Sequence, residues 1–237
     1  MPPVEPAAIV FDTFGTVVDW RSSLIAELTA FGQSRGVAAD WAALVDAWRA
    51  AYQPSMARVR SGEVAWVRLD DLHRASLDRL VAEFRIIGLS EDDLSHINRG
   101  WHRLNPWPDS VPGLTRLKRR FIIGPLSNGN VALLTNMAKH AGLPWDMVFG
   151  SDLFGHYKPD PETYLGVARL LDLEPGQVMM AAAHNGDLAA ARECGLLTAF
   201  FPRPTEYGPK QARDYKAAAA WDVVARDIED LADRLGA

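Results

Sequence analysis

Four apolar residues, Ala8-Ile9-Val10-Phe11, run without a break into a carboxylate, Asp12, and then into Thr13-Phe14-Gly15-Thr16. A short run that is continuously apolar, with no alternation, reads as a strand covered on both faces, the signature of a parallel sheet flanked by helices. The acid at its end therefore falls at the carboxyl edge of the sheet, where open α/β sheets bind their ligands. Gly15 permits a tight turn and Thr16 adds a hydroxyl. The residue two beyond the acid is Phe14, a hydrophobe, and this detail bears on the chemistry.

Similar apolar runs recur at Phe121–Leu126, Met147–Gly150, Val178–Ala183 and Leu197–Phe200. Helical patterns lie between the later ones. Pro161–Leu171 places Tyr164, Val167, Ala168 and Leu171 on one face, and Asp187–Cys194 ends at Gly195, a C-cap signal. Strand–helix alternation predicts a doubly wound parallel α/β sheet with right-handed crossovers.

The stretch from Trp20 to Asp109 lacks strand signals. Leu44, Trp48, Ala51 and Tyr52 recur at helical spacing, as do Leu69, Leu72, Leu77 and Leu80. Pro54 is expected to bend or end a helix, and Asn105-Pro106-Trp107-Pro108-Asp109 reads as a hinge. The sequence thus predicts a core over 1–19 and 110–237 with an α-helical cap over 20–109, inserted beside Asp12 where it covers the site. Arg58, Arg60 and Arg68 in this stretch read as a solvated face. The loop from Arg203 to Pro209, after the last strand, reads as structural or as a dimer contact.

The balance of 25 basic and 30 acidic residues, with no basic stripe, excludes a nucleic-acid-binding surface. No apolar run is long enough to span a bilayer. The N-terminus, Met1 to Pro6, lacks the positive charge of a secretory leader. Cys194 is the only cysteine, which precludes an intrachain disulfide and fits a reducing compartment. These features predict a soluble, cytoplasmic protein.

Further polar residues collect at strand ends and helix starts. Ser127-Asn128-Gly129 follows one strand, Tyr157-Lys158-Pro159-Asp160 precedes a helix, and His184-Asn185-Gly186-Asp187 follows another strand. In a parallel sheet all of them crowd beside Asp12. The order Asp12, Thr16, Ser127, Lys158, Asp187 resembles the haloacid dehalogenase superfamily. Phe11 to Thr16, Trp48-Arg49, Leu126 to Gly129, and Tyr157 to Asp160 followed by Tyr164 bring the chain closer to its type II 2-haloacid dehalogenases, whose fold is Rossmann-like with a helical cap.

The resemblance implies hydrolysis of short 2-haloalkanoic acids such as haloacetate and L-2-halopropionate to 2-hydroxy acids and halide. It also implies an Asp12 ester intermediate, inversion at carbon, and neither metal nor cofactor. Phe14 supports this branch. Phosphatases of the superfamily carry a second Asp at that position and bind Mg²⁺ through the nucleophile and a downstream acid, whereas halide needs no proton to leave. By resemblance, Arg49 and Asn128 receive the halide, and Ser127 and the first-loop N–H groups, Thr13 among them, hold the substrate carboxylate. Lys158 neutralises Asp12, and Thr16 and Tyr164 complete the polar shell. Asp187 orients Lys158 or the hydrolytic water, and Trp48, Phe14 and Asn185 belong to the pocket. Many relatives have Asn where His184 stands and an aromatic residue where Gly186 stands. His184 is open to three roles: donor to the halide, positioner of water, or added positive charge. Loss of the aromatic widens the pocket or leaves Trp20, Trp48 or Tyr52 to fill it. Family habit suggests a homodimer. Two other readings are a Mg²⁺-dependent phosphatase of the same superfamily and a catalytically silent carboxylate-binding protein.

Overall fold

A computed structural model describes residues 5–209 and 211–237. Met1–Val4, part of the segment read against a secretory leader, lie outside the described residues. No helix among those described is long and apolar enough to cross a membrane.

The strands are β1 (Ala8–Phe11), β2 (Val18–Asp19), β3 (Asn105–Pro106), β4 (Ile122–Pro125), β5 (Val178–Ala182), β6 (Leu197–Phe200) and β7 (Val223–Val224). Five of them form one parallel sheet in the order β4-β1-β5-β6-β7. The chain leaves β1 for a neighbour on one side and then returns to a neighbour on the other. The carboxyl end of β1, and with it Asp12, therefore stands at the switch point of the sheet. Alternate residues of the central strands serve opposite layers. Ile9, Phe11, Met179 and Ala181 enter one apolar core and Val10, Val178, Met180 and Ala182 the other, which is why these strands read as unbroken apolar runs.

Two expectations for the sheet are corrected. The fifth strand is β7, and Met147–Gly150 forms only a single bridge, Phe149 with Leu126. Pro125 explains the interruption. Phe149 N–H donates to the Pro125 carbonyl at 3.0 Å and Ser127 N–H to the Phe149 carbonyl at 3.2 Å. The next rung toward Met147 needs an N–H at position 125, and proline has none.

Helices α1 (Trp20–Arg35), α2 (Trp41–Ala50), α3 (Tyr52–Arg60), α4 (Leu69–Glu83) and α5 (Glu91–Asn98) fill the span between β2 and β3. α2 ends at Ala50 because Pro54 neither donates to that carbonyl nor tolerates it beside its ring; Pro54 itself lies in the first turn of α3, where its missing N–H is harmless. The expected hinge is more ordered than a turn. Val18 and Asp19 pair antiparallel with Pro106 and Asn105, so the two crossings between helices and sheet form one ribbon. The remaining helices, α6 (Ser110–Leu117), α7 (Val131–Ala141), α8 (Pro161–Leu170), α9 (Asn185–Glu193) and α10 (Ile228–Arg234), accompany the sheet.

The inserted helices join the core through aromatic packing. Phe14 meets Trp101 at 5.7 Å and Tyr52 at 6.3 Å between ring centroids, and Trp101 stacks on His73 at 4.3 Å. His73 is wholly desolvated, which pushes its imidazole down to about 3 and keeps it neutral.

Candidate active site

Each strand end delivers one element of a buried charge cluster. Asp12 follows β1, the segment from Ser127 follows β4, His184 follows β5, Asp187 sits in the first turn of α9, and Lys158 lies in the loop before α8. Lys158 Nζ donates to Asp12 Oδ1 at 3.1 Å and also to Asp187 Oδ2. Thr16 Oγ1 donates to Asp12 Oδ2 at 2.8 Å, and accepts the Ala183 N–H at 3.1 Å, which aims its hydroxyl proton at the carboxylate. Tyr164 donates to Asp187 Oδ1 at 2.6 Å.

His184 resolves one of its three open roles. Its Nδ1 lies 2.8 Å from Asp12 Oδ2 and its Nε2 2.8 Å from Glu206 Oε2. With a carboxylate at each ring nitrogen both must donate, so the ring is an imidazolium. Burial alone favours the neutral ring, but Glu206 and Asp12 outweigh it and raise its pKa well above 6.5. The geometry favours added positive charge over the other two roles.

Glu206 is the residue that sequence reasoning missed. The Arg203–Pro209 loop turns inward rather than toward a partner. Arg203 clamps Asp109 with bonds of 2.7 and 2.8 Å and donates to the Thr16 carbonyl at 2.9 Å. Glu206, 1% exposed, also accepts from Trp20 Nε1 at 3.1 Å and stands 3.9 Å from Arg49. Its carboxylate occupies the space beside Gly15, where an added Cβ would fall 2.1 Å from Oε1. The available signal was a strand-end histidine that needed an anion, together with Gly15 at φ +86°.

Charges thus alternate through the site: Asp187, Lys158, Asp12, His184, Glu206, Arg49. Burial pushes the Asp12 carboxyl up, but Lys158 first, then His184 and Thr16, hold it well below the usual carboxylate range. Lys158 is raised above its ordinary value because Asp12 and Asp187 outweigh its burial. Asp187 is raised, chiefly by burial and by the nearby Asp12 charge, against the pull of Lys158.

The cavity over Asp12 measures about 470 Å³ and is lined by Phe14, Arg49, Tyr52, Lys158, Tyr164, His184 and Tyr207, among others. Arg49 stacks on Tyr52 at 4.3 Å and reaches over Trp20 at 5.4 Å, and its buried Nη1 has no partner in the protein. A desolvated guanidinium nitrogen without a partner is a place for an anion. Thr13 Oγ1 is likewise buried and unpartnered. Gly186 leaves its position on the wall open, and Tyr52 and Tyr207 supply the aromatic surface.

Several expected pocket residues face elsewhere. Trp48 lies on the buried stripe of α2 with Trp41, Leu44 and Val45, and its indole donates to the His73 carbonyl at 2.9 Å, away from the cavity. Asn185 bonds Asp214, the Lys216 carbonyl, Ala218 N–H and Trp221, tying α9 to the following loop. Ser127 caps Gly129 N–H at 3.2 Å, and Asn128 Oδ1 accepts the Lys158 N–H at 2.7 Å; both lie under the cavity wall and shape the Lys158 loop. Arg60, expected on a solvated face, pairs with Asp160 at 2.7 Å and reaches the rim of the cavity.

The donor set does not fit a divalent cation at Asp12. The place between Asp12 and Asp187 is taken by the Lys158 ammonium, and the other groups on Asp12 are an imidazolium and a hydroxyl. Among the described residues, the one His/Asp/Glu group with ligand-like spacing is His156, Asp160 and Glu162, and it does not include Asp12.

The family model for haloacid dehalogenase-like hydrolases matches residues 6–195, and the chain belongs to that family. It is similar to the crystal structure of the defluorinating L-2-haloacid dehalogenase Rha0230, with 50% identity and TM-score 0.96 over 100% of this chain and 98% of the other. The L-2-haloacid dehalogenase PA0810 is 52% identical, with TM-score 0.95 over 98% and 99%. The (S)-2-haloacid dehalogenase of Xanthobacter autotrophicus is 27% identical over 204 residues, covering 81% of this chain and 73% of its own length.

Proposed function

We propose that this chain hydrolyses the carbon–halogen bond of short 2-haloalkanoic acids, giving a 2-hydroxy acid and halide without a metal. The observation that carries the reading is the pairing of an ionised, desolvated Asp12 with the unpartnered Arg49 Nη1 in one cavity, with the Phe14 ring standing where a leaving-group acid would otherwise be. Asp12 attacks the α-carbon from the side opposite the halogen, an ester forms, and halide departs. Water then cleaves the ester at the Asp12 carbonyl. Arg49 receives the anionic end of the substrate or the leaving halide, and Asn128 and Ser127 support the Lys158 loop.

In this reading residues 20–109 act as the cap over a core of 1–19 and 110–237, with the Arg60–Asp160 pair closing the rim. The cavity volume leaves room for acids longer than two carbons. The names of the relatives support a haloacid substrate and, for one of them, C–F cleavage; the lone cysteine fits the cytoplasm. The test is halide release from chloroacetate, fluoroacetate and L-2-chloropropionate by purified protein in the presence of EDTA. Halide under chelation is the expected result. No halide, with Mg²⁺-dependent phosphate release from a simple phosphomonoester, overturns the reading.

A further inference from the structure

The two oxygens of Asp12 are unequally engaged. Oδ2 takes two donors, Thr16 Oγ1 and His184 Nδ1, both at 2.8 Å, while Oδ1 takes Lys158 Nζ alone at 3.1 Å. A carboxylate oxygen offers two lone-pair directions. Those of Oδ2 are both used, and Oδ1 keeps one free. Oδ1 is therefore the atom able to attack carbon, and Oδ2 becomes the carbonyl oxygen of the ester.

From this asymmetry we propose that Thr16 and His184 form the oxyanion site for the second chemical step, and that Glu206 is the positioning residue that keeps His184 protonated and aimed at Oδ2. The proposal rests on the dehalogenase reading and deepens it. Once Oδ1 is alkylated, Asp12 loses its charge. Lys158, His184 and Arg49 then face only Asp187 and Glu206, so the cluster carries an excess positive charge beside the ester carbonyl. Water adds to Cγ, and the carbonyl electron pair moves onto Oδ2 between the imidazolium and the Thr16 hydroxyl. As the pair returns, the Cγ–Oδ1 bond breaks. Oδ1 leaves as the hydroxyl oxygen of the product with one proton of the water. The other proton goes to solvent, and the water oxygen takes the place of Oδ1. Donors already aimed at the developing oxyanion need no reorganisation during the step.

Glu206 is suited to this task and no other in the site. It touches the imidazole only at Nε2, on the far side from Asp12, and is anchored by Trp20 Nε1. The charged or titratable groups facing the ring are Asp12 and Glu206 at its nitrogens, Lys158 and Asp187 beyond Asp12, Arg49 and Tyr207 beside Glu206, and Arg213 and Asp214 on the cavity wall.

The experiment is rapid-quench kinetics with chloroacetate on the parent enzyme, Glu206→Gln, Glu206→Asp and His184→Asn. In Glu206→Gln and His184→Asn the ester step is expected to slow on the order of a hundredfold, while the first halide still appears as a burst near one equivalent. The protein then accumulates one carboxymethyl group on the Asp12 peptide. Glu206→Asp, which keeps the charge, recovers much of the hydrolysis rate, and in Glu206→Gln the loss of hydrolysis with rising pH moves to lower pH. His184→Asn leaves the Glu206–Trp20 contact in place and carries the same expectation if Glu206→Gln fails to fold. In the parent, a single turnover in heavy-oxygen water followed by a second in ordinary water transfers all of the label to the second product, because Oδ2 never exchanges. Label split evenly between product and protein overturns the oxygen assignment. Variants without an accumulated adduct, or with burst and hydrolysis slowed alike, overturn the oxyanion role. Absence of halide from the parent enzyme instead removes the dehalogenase reading, and this inference with it.

Discussion

Gly15→Ala is expected to damage this protein far more than its size suggests. Gly15 has φ +86°, a region that costs a residue with a Cβ about 1–2 kcal/mol. The new methyl group would lie 2.1 Å from Glu206 Oε1 and 2.2 Å from its Cδ, so the buried carboxylate must move. Displacing it weakens hydrogen bonds from Trp20 and His184 to a charged acceptor, worth about 2–3 kcal/mol more. The total is about 3–5 kcal/mol. A chain of this length loses roughly 2–4 °C in Tm per kcal/mol, so the expected fall is on the order of 10 °C or more. Calorimetry or thermal circular dichroism reads it. Gly186→Ala is the comparison: nothing lies within 4 Å of its added Cβ, and in the first turn of α9 the change costs nothing or stabilises slightly. A Gly15→Ala protein that melts within 2 °C of the parent would refute the claim that the glycine exists to admit Glu206.

Three further outcomes are expected. Lys158→Met leaves Asp12 and Asp187 buried without their shared cation, which costs about 3–5 kcal/mol and at least a hundredfold in first-turnover halide release; a near-parent burst in rapid quench returns Lys158 to a structural role. Asn185→Ala removes four hydrogen bonds to the segment 214–221 and lowers stability by about 2–3 kcal/mol in urea titration, and a change under about 0.5 kcal/mol contradicts that role. Stability narrows from both sides in pH. The depressed Asp12 contributes above its unfolded value of 3.8 and loses that contribution as pH falls through its lower folded value. The raised His184 contributes fully below 6.5 and loses it as pH rises through its higher folded value, while raised Asp187 acts in the opposite sense to Asp12. Urea midpoints measured across pH should fall in strong acid and again well above 6.5, and the alkaline fall should vanish in His184→Asn.

The strand ends of the site were legible because each is announced locally. An apolar run stops, and a polar residue follows within one or two positions. Asp12, Thr16, Lys158, His184 and Asp187 were all found this way, and all meet in space. Glu206 sits in an irregular loop, and its meaning depends on Gly15 and His184, which are distant in sequence, so no local pattern marks it. Trp48 and Arg49 show the complementary limit. Helical spacing locates α2 but not which of two adjacent residues faces the cavity; burial settles it, with Trp48 in the core and Arg49 beside the site. The Met147–Gly150 run has the composition of a strand, yet its fate was decided by a missing N–H at Pro125 on the neighbouring strand. In the same way, β7 is too short to stand out and pairs only because β6 offers an edge.

The β2–β3 ribbon treats the entire helical excursion as the loop of a hairpin. Paired antiparallel residues stand about 5 Å apart, so Asp19 and Asn105 hold the same separation whatever lies between them. Length, sequence and helix count within residues 20–104 are thereby uncoupled from the register of the sheet. A lineage can lengthen, shorten or exchange this segment and alter which molecules are admitted, while the carboxylate at the end of β1 stays where it is.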